Sequence, residues 1–299
     1  MRGVSGAEVP VERLRPGDPL WPTVAFDGLR EPVRGLFALG RTGLLGRAPR
    51  RSVAIVGTRD ASPYGMRVAD ELARAFVRAG ITVVSGLARG IDSAAHRGAL
   101  EAKGDTIAVL GTGVDVPYPV GHRELHGRVA SAGLVLSERE PGSRAVPGCF
   151  PRRNRIIAAL AEVTVVVEAP YKSGAVNTAT QALELGRVVA AVPGPIDSAR
   201  SAGSNLLIRD GAQVITGVSD ALGLFGVADD SCFRAPALGY EEGRIWEALE
   251  GGEASAESLA ERLSMSIRQV LELTSRLEIS GLAEFRSDGV VRRTATLST

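Results

Sequence analysis

Three short stretches of this 299-residue chain could hold an anion. The first is Gly57-Thr58-Arg59, which follows four apolar residues and precedes Ser62-Pro63. A serine before a proline starts a helix, because the serine caps free amides and proline suits the first helical position. Unpaired amides and the helix dipole both point at such a turn, a geometry that receives phosphate. Arg59 adds a planar charged fork. The second stretch is Lys172-Ser173-Gly174, where Ser173 opens another helix. That arrangement serves equally as an anion cradle or as an ordinary cap. The third is Phe150-Pro151-Arg152-Arg153-Asn154-Arg155. No carboxylate lies between Glu140 and Glu162, yet Arg144 and three of these arginines do. A charge run is usually a solvated face, but cations at a helix amino end oppose the dipole, and an anion would offset that. An aromatic ring beside arginines suits an unpaired nucleic-acid strand: bases stack and guanidiniums follow the backbone.

Templates for bond-breaking chemistry fail. Lys172-Ser173 has no glycine five residues before the lysine, so the ATP phosphate loop is absent. Gly111-Thr112-Gly113 lacks the third glycine of the dinucleotide fingerprint. Ser85-Gly86 lacks the glycine two before the serine that a nucleophile elbow needs. His122 and His126 are four apart, but Arg123 stands where a zinc motif needs Glu, so the pair reads as a solvated helix face. His96 reads as a packed or capping residue. Cys149 and Cys232 have no metal or redox spacing and read as free thiols of a reducing cytoplasm. No catalytic residue, metal or cofactor is expected.

These loops need a scaffold that brings them to one side. The pattern predicts strands at 53–56, 81–85, 106–110, 134–137, 163–167 and 188–192. Helices at 63–79, 91–103, 121–132, 152–161 and 174–186 separate them. Strands this apolar, each followed by a helix, make a parallel doubly wound sheet whose ligands sit beyond the strands' carboxyl ends. All three anion stretches lie at such ends. Residues 1–50, with Pro10, Pro16, Pro19, Pro22 and Pro32, read as an irregular lead-in with one short strand at 36–40 and a linker at 46–51. The main domain is 51–225, with 226–240 as a second linker. The apolar stretch 212–225 is a candidate surface for pairing two copies.

Residues 241–299 read as three helices and a hairpin around Ser287-Asp288-Gly289, a small winged-helix-like module. Residues 226–299 hold 13 acidic and 8 basic side chains, and an acidic face repels duplex phosphate. A protein-contact or structural role is favoured over duplex binding, which stays open. The formal net charge of +1 gives no global pull on nucleic acid. No run of eighteen apolar residues exists, and no signal peptide is evident at the start, so a cytoplasmic protein without a membrane span is expected.

The motifs together resemble a known family. Its pattern is met by Val53-Ala54-Ile55-Val56-Gly57-Thr58-Arg59, Ser62-Pro63-Tyr64-Gly65, Gly90-Ile91-Asp92, Tyr118-Pro119, Phe150-Pro151-Arg152-Arg153-Asn154-Arg155, Ser173-Gly174 and Val192-Pro193-Gly194. The chain is similar over about 20–225 to the DNA-processing protein A family, also called Smf, with Thr58 in place of the commoner serine. The resemblance implies an extended Rossmann-like doubly wound parallel sheet that forms a homodimer. It implies a non-enzymatic single-stranded DNA binder that protects incoming strands in natural transformation (competence) and loads the RecA recombinase. It places DNA contacts at Gly57, Thr58, Arg59, Phe150, Arg152, Arg153, Asn154, Arg155, Ser173 and Gly174. Two other readings remain: a nucleotide phosphoribohydrolase on a similar core, which would want a double glycine that Lys172-Ser173-Gly174 lacks, and a protein-interaction scaffold.

Overall fold

The computed structural model describes residues 10–227, 238–249, 252–279, 282–285 and 289–293. Contacts divide the chain into two units, Met1–Asp229 and Asp230–Thr299.

The first unit begins with β1 (Val11–Leu14), a short α1 (Thr23–Phe26) and β2 (Leu36–Gly40). The alternation then runs β3 (Ser52–Val56), α2 (Pro63–Arg78), β4 (Thr82–Ser85), α3 (Ile91–Glu101), β5 (Thr106–Val109), α4 (Arg123–Ala132) and β6 (Leu134–Ser137). It continues α5 (Cys149–Ala159), β7 (Val163–Val166), α6 (Gly174–Glu184), β8 (Val188–Ala191), α7 (Ala202–Arg209), β9 (Gln213–Val214) and α8 (Val218–Gly223). All nine strands join one sheet in the order β1-β2-β6-β5-β4-β3-β7-β8-β9. From β3 the chain builds outward through β4, β5 and β6, then returns to the other side of β3 with β7, β8 and β9. Neighbours from β6 to β9 are all parallel. The strand order therefore reverses at β3, and the crevice where ligands of such sheets bind lies between the loops leaving β3, β4 and β7.

Strand periodicity sorts the core. Ala54 and Val56 face a cluster with Ile156 and Ile157 of α5 and Ala179 of α6. Val53 and Ile55 face the opposite cluster, with Leu72 and Phe76 of α2 and Ala95 of α3. Both faces are covered, which is why these strands read as unbroken apolar runs.

Four expectations are corrected. Residues 1–50 are more regular than expected: the strand at 36–40 is present as β2, but β1 pairs antiparallel with it and β2 pairs antiparallel with β6, so this segment joins the sheet and the sheet is mixed at this end. The prolines sit in the connections, where they stop helices without stopping strands. Helix α5 starts at Cys149 rather than 152, after Gly148 in the left-handed region (φ +82°), so Phe150 lies in its first turn. The His122–His126 pair is not a solvated face: His126 is buried with Nε2 2.7 Å from the Val114 carbonyl, and His122 Nδ1 lies 3.0 Å from the Leu87 carbonyl. Within 212–225 the expected apolar surface shrinks: Ile215, Ala221 and Leu222 are buried in their own unit and Phe225 packs edge-on against Phe76 at 5.7 Å, while Val214 of the edge strand β9 stays exposed. Cys149 is free and buried, while Cys232 and most of 226–240 lie outside the described residues.

The second unit has α9 (Tyr240–Ala248), β10 (Ala254–Ser255), α10 (Ala256–Leu263), α11 (Ile267–Ile279), β11 (Ala283–Phe285) and β12 (Val290–Arg293). Its sheet runs β10-β12-β11 with antiparallel pairs. Ile245, Leu259, Val270, Leu277 and Val291 form its core.

Candidate nucleic-acid interface

Beyond β3 the chain must pass close to two neighbours. A Cβ on Gly57 would stand 2.4 Å from Ile91 Cγ1 and 2.8 Å from the Glu168 carbonyl, which only glycine avoids. The Thr58 amide donates to the Glu168 carbonyl (2.7 Å), and the Thr58 carbonyl accepts from the Ile91 amide (3.3 Å). Gly90 makes that approach possible with φ +75°. The turn is thus pinned between β7 and α3, and Arg59 projects outward. Its guanidinium carbon lies 5.0 Å from the centre of the Phe150 ring, and Phe150 packs tilted against Tyr118 at 5.1 Å. Arg59 makes no ion pair among the described residues.

The amino end of α2 is not open to an outside anion. Ser62 Oγ accepts from the Gly65 amide (3.0 Å), as a cap should. It also donates to Glu168 Oε1 (2.5 Å), while the Ser62 amide donates to Glu168 Oε2 (2.9 Å). The buried Glu168 carboxylate therefore supplies the anion this helix end attracts. The amino end of α6 differs. Ser173 Oγ accepts from the Val176 amide (3.3 Å), yet Gly174 is exposed, and a Cβ built there meets nothing nearer than Asn154 Nδ2 at 3.8 Å. Lys172 beside it is exposed and holds a left-handed backbone (φ +58°).

The arginines of α5 are mostly committed inside the protein. Arg153 is 6% exposed and Arg155 5%. Arg153 Nη1 donates to the carbonyls of Gly86, at 2.8 Å, and Val109. Burial pulls its pKa down to about 10, opposed by the Asp92 carboxylate. Asp92 Oδ2 accepts from the amides of Gly86 (3.1 Å) and Ala88 (3.4 Å), and burial pushes its pKa up against the pull of Arg153. Arg155 pairs with Glu138 at 2.8 Å, and exposed Arg152 with Glu31 at 2.5 Å. The anions that offset these helix-end cations are the protein's own Glu31, Glu138 and Asp92. Asn154 Nδ2 donates to the Gly174 carbonyl (3.1 Å), tying α5 to the α6 amino end.

A cleft of about 450 Å³ opens at the crevice where the strand order reverses. Its walls include Gly57, Thr58, Arg59, Phe150, Arg153, Asn154, Ser173 and Gly174 of the expected set. Arg152, Arg155 and Lys172 do not line it. A smaller pocket of about 190 Å³ adjoins it, sharing Arg59, Ala88, Phe150 and Arg153 and adding Arg89 and Tyr118. Sequence reasoning assigned no role to Tyr118, Arg89 or Glu168. In a chain with 4% aromatic residues, a tyrosine in the loop between β5 and α4 was the available signal. Among the described residues no cluster of His, Cys, Asp or Glu could hold a metal ion.

A doubly wound sheet with a basic, aromatic-walled crevice at its reversal point defines a Rossmann-like binding protein. The chain matches the family described as DNA recombination-mediator protein A over residues 12–226, and it belongs to that family. It is 43% identical over 291 residues to a putative DNA processing protein DprA of Mycobacterium tuberculosis, covering 91% of this chain and 75% of that one. It is 40% identical to DNA processing protein DprA of Bacillus subtilis over 202 residues, 68% of this chain and 66% of that protein. The solved DprA of Streptococcus pneumoniae superposes with a TM-score of 0.67 at 38% identity, covering 72% of this chain and 75% of that one. DNA processing protein A of Helicobacter pylori, whose structure is described for its single-stranded DNA binding mode, gives 0.65 at 31%, covering 73% and 97%.

Proposed function

We propose that this protein binds single-stranded DNA, with no chemical step, as a mediator of recombination. The observation that carries the proposal is the cleft itself, where an unpaired cation (Arg59), an aromatic ring (Phe150) and an open helix amino end (Ser173-Gly174) meet. Phosphates suit the Gly57-Thr58-Arg59 turn and the α6 amino end, with Lys172 at the rim. A base suits the Phe150–Tyr118 wall. Arg153 and Asn154 shape the floor rather than follow the backbone, and Arg152 reaches the strand only by leaving Glu31. The H. pylori relative's single-stranded DNA binding supports the same reading here.

The finer reading follows the family. The protein protects incoming strands in natural transformation and loads RecA onto them, acting as a homodimer in the cytoplasm. No helix among the described residues is long and apolar enough to cross a membrane. The order helix, strand, helix, helix, strand, strand in the second unit supports a winged-helix-like module. Its acidic surface favours a protein contact over duplex DNA.

Titrating single-stranded and duplex oligonucleotides by fluorescence anisotropy at several salt concentrations tests the reading. About four phosphate contacts give a log–log salt slope near −3 for single strands, at about −0.7 per contact. Arg59→Ala weakens every sequence about tenfold and flattens the slope by about 0.7. An Arg59→Ala protein that binds as tightly as the parent puts the DNA elsewhere.

A further inference from the structure

A second cleft, also about 450 Å³, lies on the other side of the first turn of α5. One side of it comes from the added antiparallel strands β1 and β2 and the segment between them, the other from the loops after β5 and β6 and from α5. Five arginines, Arg13, Arg34, Arg139, Arg152 and Arg153, contribute to its walls, with Arg152 held by Glu31. Arg34 is exposed and makes no ion pair among the described residues. Arg139 Nε is buried without a hydrogen-bond partner among them, which is costly for a group that carries charge. Arg13 stands 5.4 Å over the Phe37 ring, an aromatic–cation pair like that of Arg59 and Phe150. Two carboxylates also line the cleft. Glu138 is neutralised by Arg155 at 2.8 Å, which leaves exposed Glu140 against the cations. The balance is positive, and Arg153 walls both clefts.

We infer that this cleft takes the next nucleotides of the single strand held in the first one, the strand crossing the amino end of α5 between them. The inference rests on the proposed function and extends it. Two cavities of one size, each pairing an arginine with an aromatic ring and sharing a wall, make a track for a polymer rather than a seat for one nucleotide. Arginine and aromatic partners are what a sequence-tolerant single-strand groove needs. The antiparallel addition of β1 and β2 then has a role beyond covering a sheet edge: it carries Arg13, Arg34 and Phe37 to the track.

The test uses the full chain, Arg34→Ala/Arg139→Ala and Arg59→Ala, with labelled oligothymidylates from roughly 4 to 16 nucleotides, the range one small binding fold occupies. Affinity of the parent rises with length across this range. The double variant loses about tenfold on long oligomers, its salt slope falls by about 1.4 for two lost contacts, and the shortest oligomer binds as before. Arg34→Glu, a change at an exposed position, repeats the length-selective loss should the double variant fold poorly. Unchanged affinity and salt slope for Arg34→Glu on long oligomers overturn the second cleft. If that occurs while Arg59→Ala still weakens binding, the first cleft stands and only the track is wrong. A parent protein that ignores single strands overturns both.

Discussion

Arg153 of α5 lines the cleft with Asp92, with 6% of its surface exposed. Its position in an arginine run marks it for phosphate, yet its guanidinium is buried and donates to the carbonyls ending β4 and β5. Asp92, opposite in charge and also buried, holds the amides of Gly86 and Ala88. The two together fix the loop that forms one wall of the cleft. Removing one partner of a buried pair leaves an uncompensated charge, costing about 3–5 kcal/mol, far more than the pair adds to stability. Arg153→Ala is therefore expected to lower the urea midpoint sharply, and Arg153→Ala/Asp92→Asn to lower it less. The competing view makes Arg153 a direct phosphate contact. That view is right if Arg153→Ala unfolds like the parent and loses only its affinity for single strands.

At the scale of elements, α3 and β5 are joined by a buried polar contact whose charge state matters. His96 on α3 is fully buried, with Nδ1 2.8 Å from Thr106 Oγ1 of β5, and burial lowers its pKa to about 3. The unfolded chain protonates this imidazole near pH 6.5, while the folded protein does not until about pH 3. Between those values the unfolded state binds the extra proton, so stability is intact above about pH 6.5 and declines as pH falls through the window. From about pH 7.5 to about pH 5.5 this one group removes on the order of 1 kcal/mol. Urea titrations of the parent and His96→Gln should show a flatter pH dependence in the variant; equal dependences place the acid sensitivity elsewhere. What the sequence made legible follows the same logic of distance along the chain. The β3 strand, the Ser62 and Ser173 caps and the Gly57 turn rest on residues a few positions apart, and local pattern reveals them. The strand at 36–40 was legible as β2, but its partner β6 lies nearly a hundred positions on and β1 lies among prolines, so β1 and the place of both strands in the sheet were hidden. The inward turn of Arg153 and Arg155 depends on Asp92 and Glu138, and the closure of the α2 end on Glu168. None of these partners is a sequence neighbour.

For the whole molecule, the question is what the second unit contributes. Its core draws on Ile245, Leu259, Val270, Leu277 and Val291, all from its own segment. The first unit buries its sheet between its own helices, and both clefts are lined by residues of that unit alone. On the acidic module, Arg276 lies 2.8 Å from Glu272 and Arg292 2.7 Å from Glu284, so these cations are spent on neighbours rather than offered to phosphate. Removing residues 230–299 should then leave a folded protein whose melting temperature shifts by less than about 4 °C, since the first core draws on residues of its own unit. Single-strand affinity should stay within about twofold at low salt, or rise slightly as acidic charge leaves, with the salt slope unchanged. Both quantities come from a thermal melt and an anisotropy titration on the shortened chain. A tenfold loss of single-strand affinity with an intact melt would mean that the module grips DNA itself, and the protein-contact role assigned to its acidic surface would fall.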